Sequence, residues 1–266
     1  MGNEKAFFCD TNILRFLVEH PGKWMNLKKY LENNKYRLVF SPVQFIEFKK
    51  IPRFHNGLTN LLSTVPSAFT KGSMKIIEEE IVNYPSPIKV SLFHEPTINE
   101  IINSHLGDFG FQLLFDSINA EILWDSLNYL KPQYMELFSW LPTTLPSQPN
   151  KVEVDFMLHN FGGVVGELRK VNQEFVNTFR GNPSSLDVKY FYGAYLSAAY
   201  IHYRYILKGI TPEPSDVGDI HQVFYFPYCQ EIVIEKSMSN ILYQLKHERD
   251  LLADTSVKTI RFIRSL

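Results

Sequence analysis

The hydrophobic and polar positions along this chain fall into two regimes. Toward both ends, short apolar runs bounded by polar residues alternate with helix-period stretches, whereas the middle carries only the helical period. Ala6-Phe7-Phe8-Cys9, Leu38-Val39-Phe40 and Ile232-Val233-Ile234 lack the in–out alternation of a half-solvated strand. That is how a parallel strand covered on both faces reads. The pattern predicts strands near residues 6–10, 36–41, 231–235 and 256–260. The fold class is α/β, a three-layer arrangement whose central parallel sheet is built from both chain ends. Residues 1–266 read as one domain, with 56–209 a largely helical insertion. Within it, Thr97-Ile98-Asn99-Glu100 is a capping box, and Phe111, Leu114, Phe115, Ile118, Ile122 and Leu123 keep helical spacing up to Pro132. Residues 142–149, with three prolines, read as a loop. Helices are predicted from about Glu153 to Phe179, closed by Gly181-Asn182-Pro183, and from Ser185 to Lys208.

The strand ends carry acids. The first run leads into Asp10-Thr11-Asn12 and the one near the C-terminus into Glu235. In open α/β sheets ligands bind outside the carboxyl ends of the strands. After the second strand, Ser41 suits a helix N-cap, Pro42 the first helical position and Gln44 the reciprocal partner of a capping box, so Glu47 falls within two turns of the strand end. Asp216 and Asp219, three apart, share one face of a helix that starts after Pro212-Glu213-Pro214-Ser215. Carboxylates gathered in this way need a cation to offset their repulsion. Oxygen-only ligands suit Mg²⁺ or Mn²⁺, ions that activate water and stabilise the leaving oxygen on a phosphodiester.

Asp10-Thr11-Asn12 at the first strand end, Glu47 on the helix after strand two, Asp219 opening a later helix and Glu235 ending the next strand resemble the pattern of the PIN-domain nucleases. The resemblance covers the chain up to about residue 50 and again from about residue 214. Pro214 through Met238, with His221 and Pro227-Tyr228-Cys229, is similar to one branch of that family. One position departs: the family commonly has Asp in a Thr-x-Asp motif, where this chain has Glu235 and no such Thr. The resemblance implies a PIN-like fold and a metal-dependent endoribonuclease that hydrolyses RNA with Mg²⁺ or Mn²⁺. It makes Asp10, Glu47, Asp219 and Glu235 catalytic, with Asp10, Asp216, Asp219 and Glu235 as metal ligands and Thr11, Asn12 and His221 supporting them. Glu235 and the near-neutral charge leave an alternative, a catalytically inert PIN scaffold that binds a protein or RNA partner.

The charge balance, 27 basic against 28 acidic residues for a net −1, gives no footprint of strong nonspecific nucleic-acid binding. Basic residues of the insertion, Arg169, Lys170, Arg204 and Lys208, are candidates for guiding an RNA backbone. The insertion itself is expected to wall the acidic cleft or to offer a protein-partner surface. Tyr190, Tyr192, Tyr195, Tyr200, Tyr203 and Tyr205, interleaved with Lys189, His202, Arg204 and Lys208, fit either a base-stacking platform or a core helix, and the core helix is the preferred reading. Cys9 and Cys229 sit in apolar surroundings, as core thiols of a reducing compartment do. No apolar stretch is long enough to span a bilayer and no signal-peptide pattern opens the chain, so a soluble, cytoplasmic protein without membrane partners is expected. Walker-type and Rossmann glycine loops, a Gly-x-Ser-x-Gly elbow and zinc-spaced Cys/His are all missing. Asn12 stands where a haloacid-dehalogenase phosphatase needs a second Asp.

Overall fold

In a computed structural model, residues 4–93, 163–213, 215–249 and 251–266 are described. The elements expected between Thr97 and the loop at 142–149, and the first part of the helix expected from Glu153, lie outside the described residues. The chain forms β1 (Lys5–Cys9), α1 (Thr11–Glu19), α2 (Trp24–Asn34), β2 (Tyr36–Phe40), α3 (Pro42–Lys49), α4 (His55–Thr64), β3 (Ser67–Phe69) and α5 (Ser73–Asn83). After residue 162 come α6 (Gly163–Val171), α7 (Gln173–Asn177), α8 (Tyr192–Ile201), α9 (Asp216–Val223), β4 (Glu231–Ile234), α10 (Lys236–Arg249), β5 (Ser256–Thr259) and α11 (Ile260–Ser265).

All pairings in the five-stranded sheet are parallel, in the order β3-β2-β1-β4-β5. The four predicted strands are present and both chain ends enter one sheet. The fifth, β3, comes from inside the segment 56–209. Its sequence, Ser67-Ala68-Phe69, is too short and too polar at its start to stand out as an apolar run, yet it pairs Leu38↔Ser67 through Phe40↔Phe69.

Alternation along each strand divides the core in two. Ala6, Phe8, Val39, Ile232 and Ile234 face one cluster, and Phe7, Cys9, Leu38, Phe40 and Val233 face the other. Helices α1 to α4 and α11 cover the second face through residues such as Leu14, Leu31, Phe45, Leu61 and Ile263. The first face is covered by α5 to α10, including Ile77, Leu168, Leu196, Ile220 and Leu242. Both faces being covered explains the unbroken apolar runs.

Two expected helices end differently. The one closing before Gly181 breaks at Asn172, whose extended backbone and side chain, accepting from the Phe175 N–H at 2.9 Å, start α7 afresh. The one running to Lys208 widens into a π-helical segment over His202–Leu207. Tyr195, Tyr200, Tyr203 and Tyr205 are buried, so this stretch is core and offers no stacking surface from those rings. Both cysteines are buried free thiols. No helix among the described residues is long and apolar enough to cross a membrane.

A buried polar knot links α5, α8 and the turn after α9. The Tyr228 hydroxyl donates to Glu80 Oε1 at 2.5 Å and accepts from the Gly193 N–H at 3.0 Å, while Tyr192 N–H donates to the same Glu80 oxygen at 3.3 Å. Glu80 Oε2 is buried with no partner among the described residues. Burial pushes the Glu80 carboxyl up to about 7, against the pull of its hydrogen bonds from Tyr228 and Tyr192. A folded-state pKa above the unfolded one means that the native state holds this proton more tightly. The contribution is complete below the unfolded value and is lost as pH rises through about 7. Glu80→Gln keeps the Oε1 acceptor and removes the titration. Urea unfolding from about pH 5 to about pH 8 is expected to show a shallower fall in stability for the variant. The difference is on the order of 1.4 kcal/mol for every tenfold by which folding tightens the hold on the proton. Parallel curves for the two proteins would refute this role.

Candidate functional site

The site grows out of three strand-to-helix junctions. At the first, the β1 end, Asp10 N–H donates to Val233 O at 2.9 Å, continuing the ladder, and its side chain then caps α1. Asp10 Oδ1 accepts from the Ile13 N–H and Oδ2 from the Glu235 N–H, both at 2.8 Å. One buried carboxylate thereby fixes the start of α1 and the end of β4.

At the second junction the expected capping box is present. Ser41 N–H donates to Gln44 Oε1 at 2.9 Å and Gln44 N–H to Ser41 Oγ at 3.4 Å, with Pro42 in the first turn. The Gln44 amide also donates to Cys9 O, pinning α3 to the β1 end. This brings Glu47 to Thr11, whose hydroxyl donates to Glu47 Oε2. Gln222 on α9 completes the triangle, its Nε2 donating to Thr11 Oγ1 and to Glu47 Oε2, each at 3.1 Å. Gln222 is 2% exposed and its Oε1 is buried without a partner among the described residues. Gly218 lies directly against the Glu47 carboxylate, which a Cβ there would force to shift.

The third junction is the β4 end. Glu235 is exposed there and accepts from Asn12 Nδ2 at 2.6 Å. Asp10, Glu47, Asp219 and Glu235 all line one cavity of about 510 Å³, together with Thr11, Asn12, Arg15, Lys50, Gly218 and Gln222. Burial pushes Asp10 up to about 7, with Glu235 and Asp219 adding repulsion and the N–H groups of Ile13 and Glu235 opposing it. Asp219 also rises to about 7, chiefly through burial, opposed by Arg204 and reinforced by Glu47, Asp216 and Glu235. The acids are thus near enough to feel one another. Even so, among the described residues no three His, Cys, Asp or Glu side chains are gathered to hold an ion directly.

The other expected site residues lie elsewhere. Asp216 is buried in an ion pair with Arg204, at 2.7 Å, and does not line the cavity. Arg204 also donates to the Tyr200 hydroxyl at 2.7 Å and reaches to 3.8 Å from Asp219, so it is a counter-ion to the aspartates and not a cation open to a phosphate backbone. His221 points away from the cavity, its charged neighbours being Glu167 and Lys170 of α6, and burial lowers its pKa. Lys170 pairs with Glu167 at 2.7 Å, and Arg169 and Lys208 are exposed without lining the cavity. No described residue between 52 and 214 lines it, so the described part of the segment 95–208 does not wall the acidic cleft as expected.

Arg15, Lys50, Gly218 and Gln222 are the site residues that the sequence reading missed. Helical spacing carried the signal: Arg15 follows Asn12 by three, Lys50 follows Glu47 by three and Gln222 follows Asp219 by three. Replacing the shared hydroxyl tests the triangle. Thr11→Val removes a donor to Glu47 and an acceptor for Gln222 at nearly constant volume, and urea denaturation is expected to register a loss of about 1–3 kcal/mol. Thr11→Ser should recover most of it, and an unchanged midpoint for the valine variant would argue against the triangle. No protein-family model matches the chain, and no curated protein or solved structure does either.

Proposed function

We propose that this chain is a PIN-like, metal-dependent endoribonuclease that hydrolyses phosphodiester bonds in RNA. The observation that carries the reading is the convergence of Asp10, Glu47, Asp219 and Glu235, drawn from residues over two hundred positions apart, on one cavity. Its position supports the same reading. The strand order reverses between β1 and β4, and Asp10 and Glu235 follow those two strands. Such a switch point is where doubly wound sheets bind ligands.

The donor set fits a hard divalent cation. All four side chains offer carboxylate oxygen, and Asp10 and Asp219 are raised by their own burial and by repulsion from the neighbouring acids, a repulsion that a cation relieves. Because no three acids among the described residues meet at one point, the fit is to a hydrated Mg²⁺ or Mn²⁺ held by one or two carboxylates and water. Asp219 and Glu235, the more exposed acids, are the residues to hold it, with Asp10 contributing charge from a carboxylate already occupied by two N–H groups. When bound, such an ion supplies an activated water and charge neutralisation at the leaving oxygen. Glu47 is held by Thr11 and Gln222 in a position to accept a proton from water in the cavity. Asn12 orients Glu235, which offsets part of the freedom of the longer side chain.

A second reading has its own observation. Arg204 already balances Asp216 and part of Asp219, which is how an inert scaffold would keep acids without a metal. Such a scaffold would serve as a protein- or RNA-binding module.

Asp219→Asn separates the two readings better than Asp10→Asn, whose new amide would turn a donor toward an N–H that now has an acceptor. With Mn²⁺ or Mg²⁺, cleavage of single-stranded RNA is expected to fall at least about a hundredfold in Asp219→Asn. Mn²⁺ should raise the wild-type melting temperature, and more at pH 8 than at pH 6, since ligand carboxylates with pKa values of about 7 must lose protons first. Equal cleavage by the two proteins would reject this active site, and no cleavage with any metal would favour the scaffold.

A further inference from the structure

We propose that Arg15 is the phosphate-binding cation of the cavity, its guanidinium gripping a backbone phosphate of single-stranded RNA beside the bond to be cut. The proposal rests on the nuclease reading above and assigns the substrate contact which that reading lacks.

Two guanidiniums near the acids differ at their terminal nitrogens. Arg204 has Asp216 on Nη2 and the Tyr200 hydroxyl on Nη1, both at 2.7 Å, and it lies outside the cavity lining. Arg15 lines the cavity. Its hydrogen bond to Asn12 is a long one, from Nη1 to Oδ1 at 3.4 Å, and it forms no ion pair among the described residues although Asp10, Asp219 and Glu235 share the same walls. A half-buried guanidinium that declines nearby carboxylates keeps its planar fork for a ligand, and that fork matches the paired oxygens of a phosphate. Its Nε, like that of Arg204, is buried with no partner among the described residues.

The Asn12 amide adds a spacing constraint. Its Oδ1 accepts from Arg15 while its Nδ2 donates to Glu235 at 2.6 Å, so one side chain sets the distance between a phosphate on Arg15 and the carboxylate of Glu235. The anion has to enter a cavity lined by four carboxylates, so a cation within the walls is an electrostatic requirement. Lys50, at the end of α3, supplies further positive charge at the same cavity. Arg169, Lys170 and Lys208 lie off it.

The test is fluorescence anisotropy with a fluorescein-labelled short oligouridylate, using Ca²⁺ in place of Mg²⁺ to slow cutting, at several salt concentrations. Wild type, Arg15→Gln and Arg15→Lys are compared, with Mn²⁺ uptake and melting temperature measured in parallel. The expected result for Arg15→Gln is binding about tenfold weaker and a salt slope lower by about one, with Mn²⁺ uptake and melting temperature unchanged. Arg15→Lys should keep the slope and recover only part of the affinity, because an ammonium lacks the fork. Arg15→Gln binding and salt slope equal to wild type, in a wild type that takes up Mn²⁺ and cuts RNA, would overturn the role of Arg15 alone. A wild type that takes up no Mn²⁺ and cuts nothing would overturn the nuclease reading and this proposal with it.

Discussion

The Asp10 carboxylate is the constraint on which the rest of the site depends. It accepts from two backbone N–H groups, one opening α1 and one ending β4, and it is almost wholly buried. Burying an acid in this way is costly unless hydrogen bonds repay the lost hydration, and here two do so only in part, since the group is still pushed up to about 7. What the arrangement secures is position. The N-terminus of α1 and the start of α10 are locked at a fixed separation, and Thr11, Asn12 and Glu235 inherit their places from that lock. Arg15, one turn further on α1, inherits its place in the same way.

Charge around that lock is handled by two devices of different kinds. Arg204 is held by Tyr200 from a π-helical turn and balances the buried Asp216, so that pair is an internal matter of the α8–α9 packing. Toward the cavity, Arg204 offers only its distant edge, 3.8 Å from Asp219. The cavity acids repel one another, and a group that removes the repulsion gains from doing so. A polar knot without a charge to recruit, such as Glu80 with Tyr228, instead leaves its acid pushed up to about 7 by burial. The difference is that Glu80 stands among neutral donors, whereas Asp219 faces Glu47, Asp216 and Glu235.

The parts of this molecule legible in the sequence are those encoded by local pattern. Three strands could be read from apolar runs, a fourth from the strand–helix alternation near the C-terminus, and the Ser41–Gln44 capping box from four residues, because each needs only its neighbours in the chain. Short β3 could not be read, since Ser67 is buried by pairing with Leu38 and not by its own side chain. The four acids of the cavity were legible because strand ends and helix starts project to one sheet edge. Asp216 and His221 were misread for one reason: a helix reading gives spacing but not which face turns to the cavity. With α9 packed between α3 and α8, the Asp219–Gln222 face meets Glu47 while Asp216 turns to Arg204 and His221 to α6. Arg204 was misread for the complementary reason, since basic character in a sequence does not disclose a counter-ion.

The same packing makes the cavity a report on the completed sheet. Thr11 meets Glu47 across 36 positions and Gln222 across 211, and Asp10 meets the Glu235 N–H across 225. The Thr11–Glu47 contact needs β1 beside β2 and the Asp10–Glu235 contact needs β1 beside β4, so the full set requires the middle strand to have both neighbours. Gly218 eases the approach of α9 to α3, since a Cβ there would displace the Glu47 carboxylate from its hydrogen bonds to Thr11 and Gln222. Closing contacts of long sequence separation carry the largest loop-entropy cost and are met last. The four acids therefore share one cavity only in the assembled sheet, where the packed core on both faces bears their repulsion.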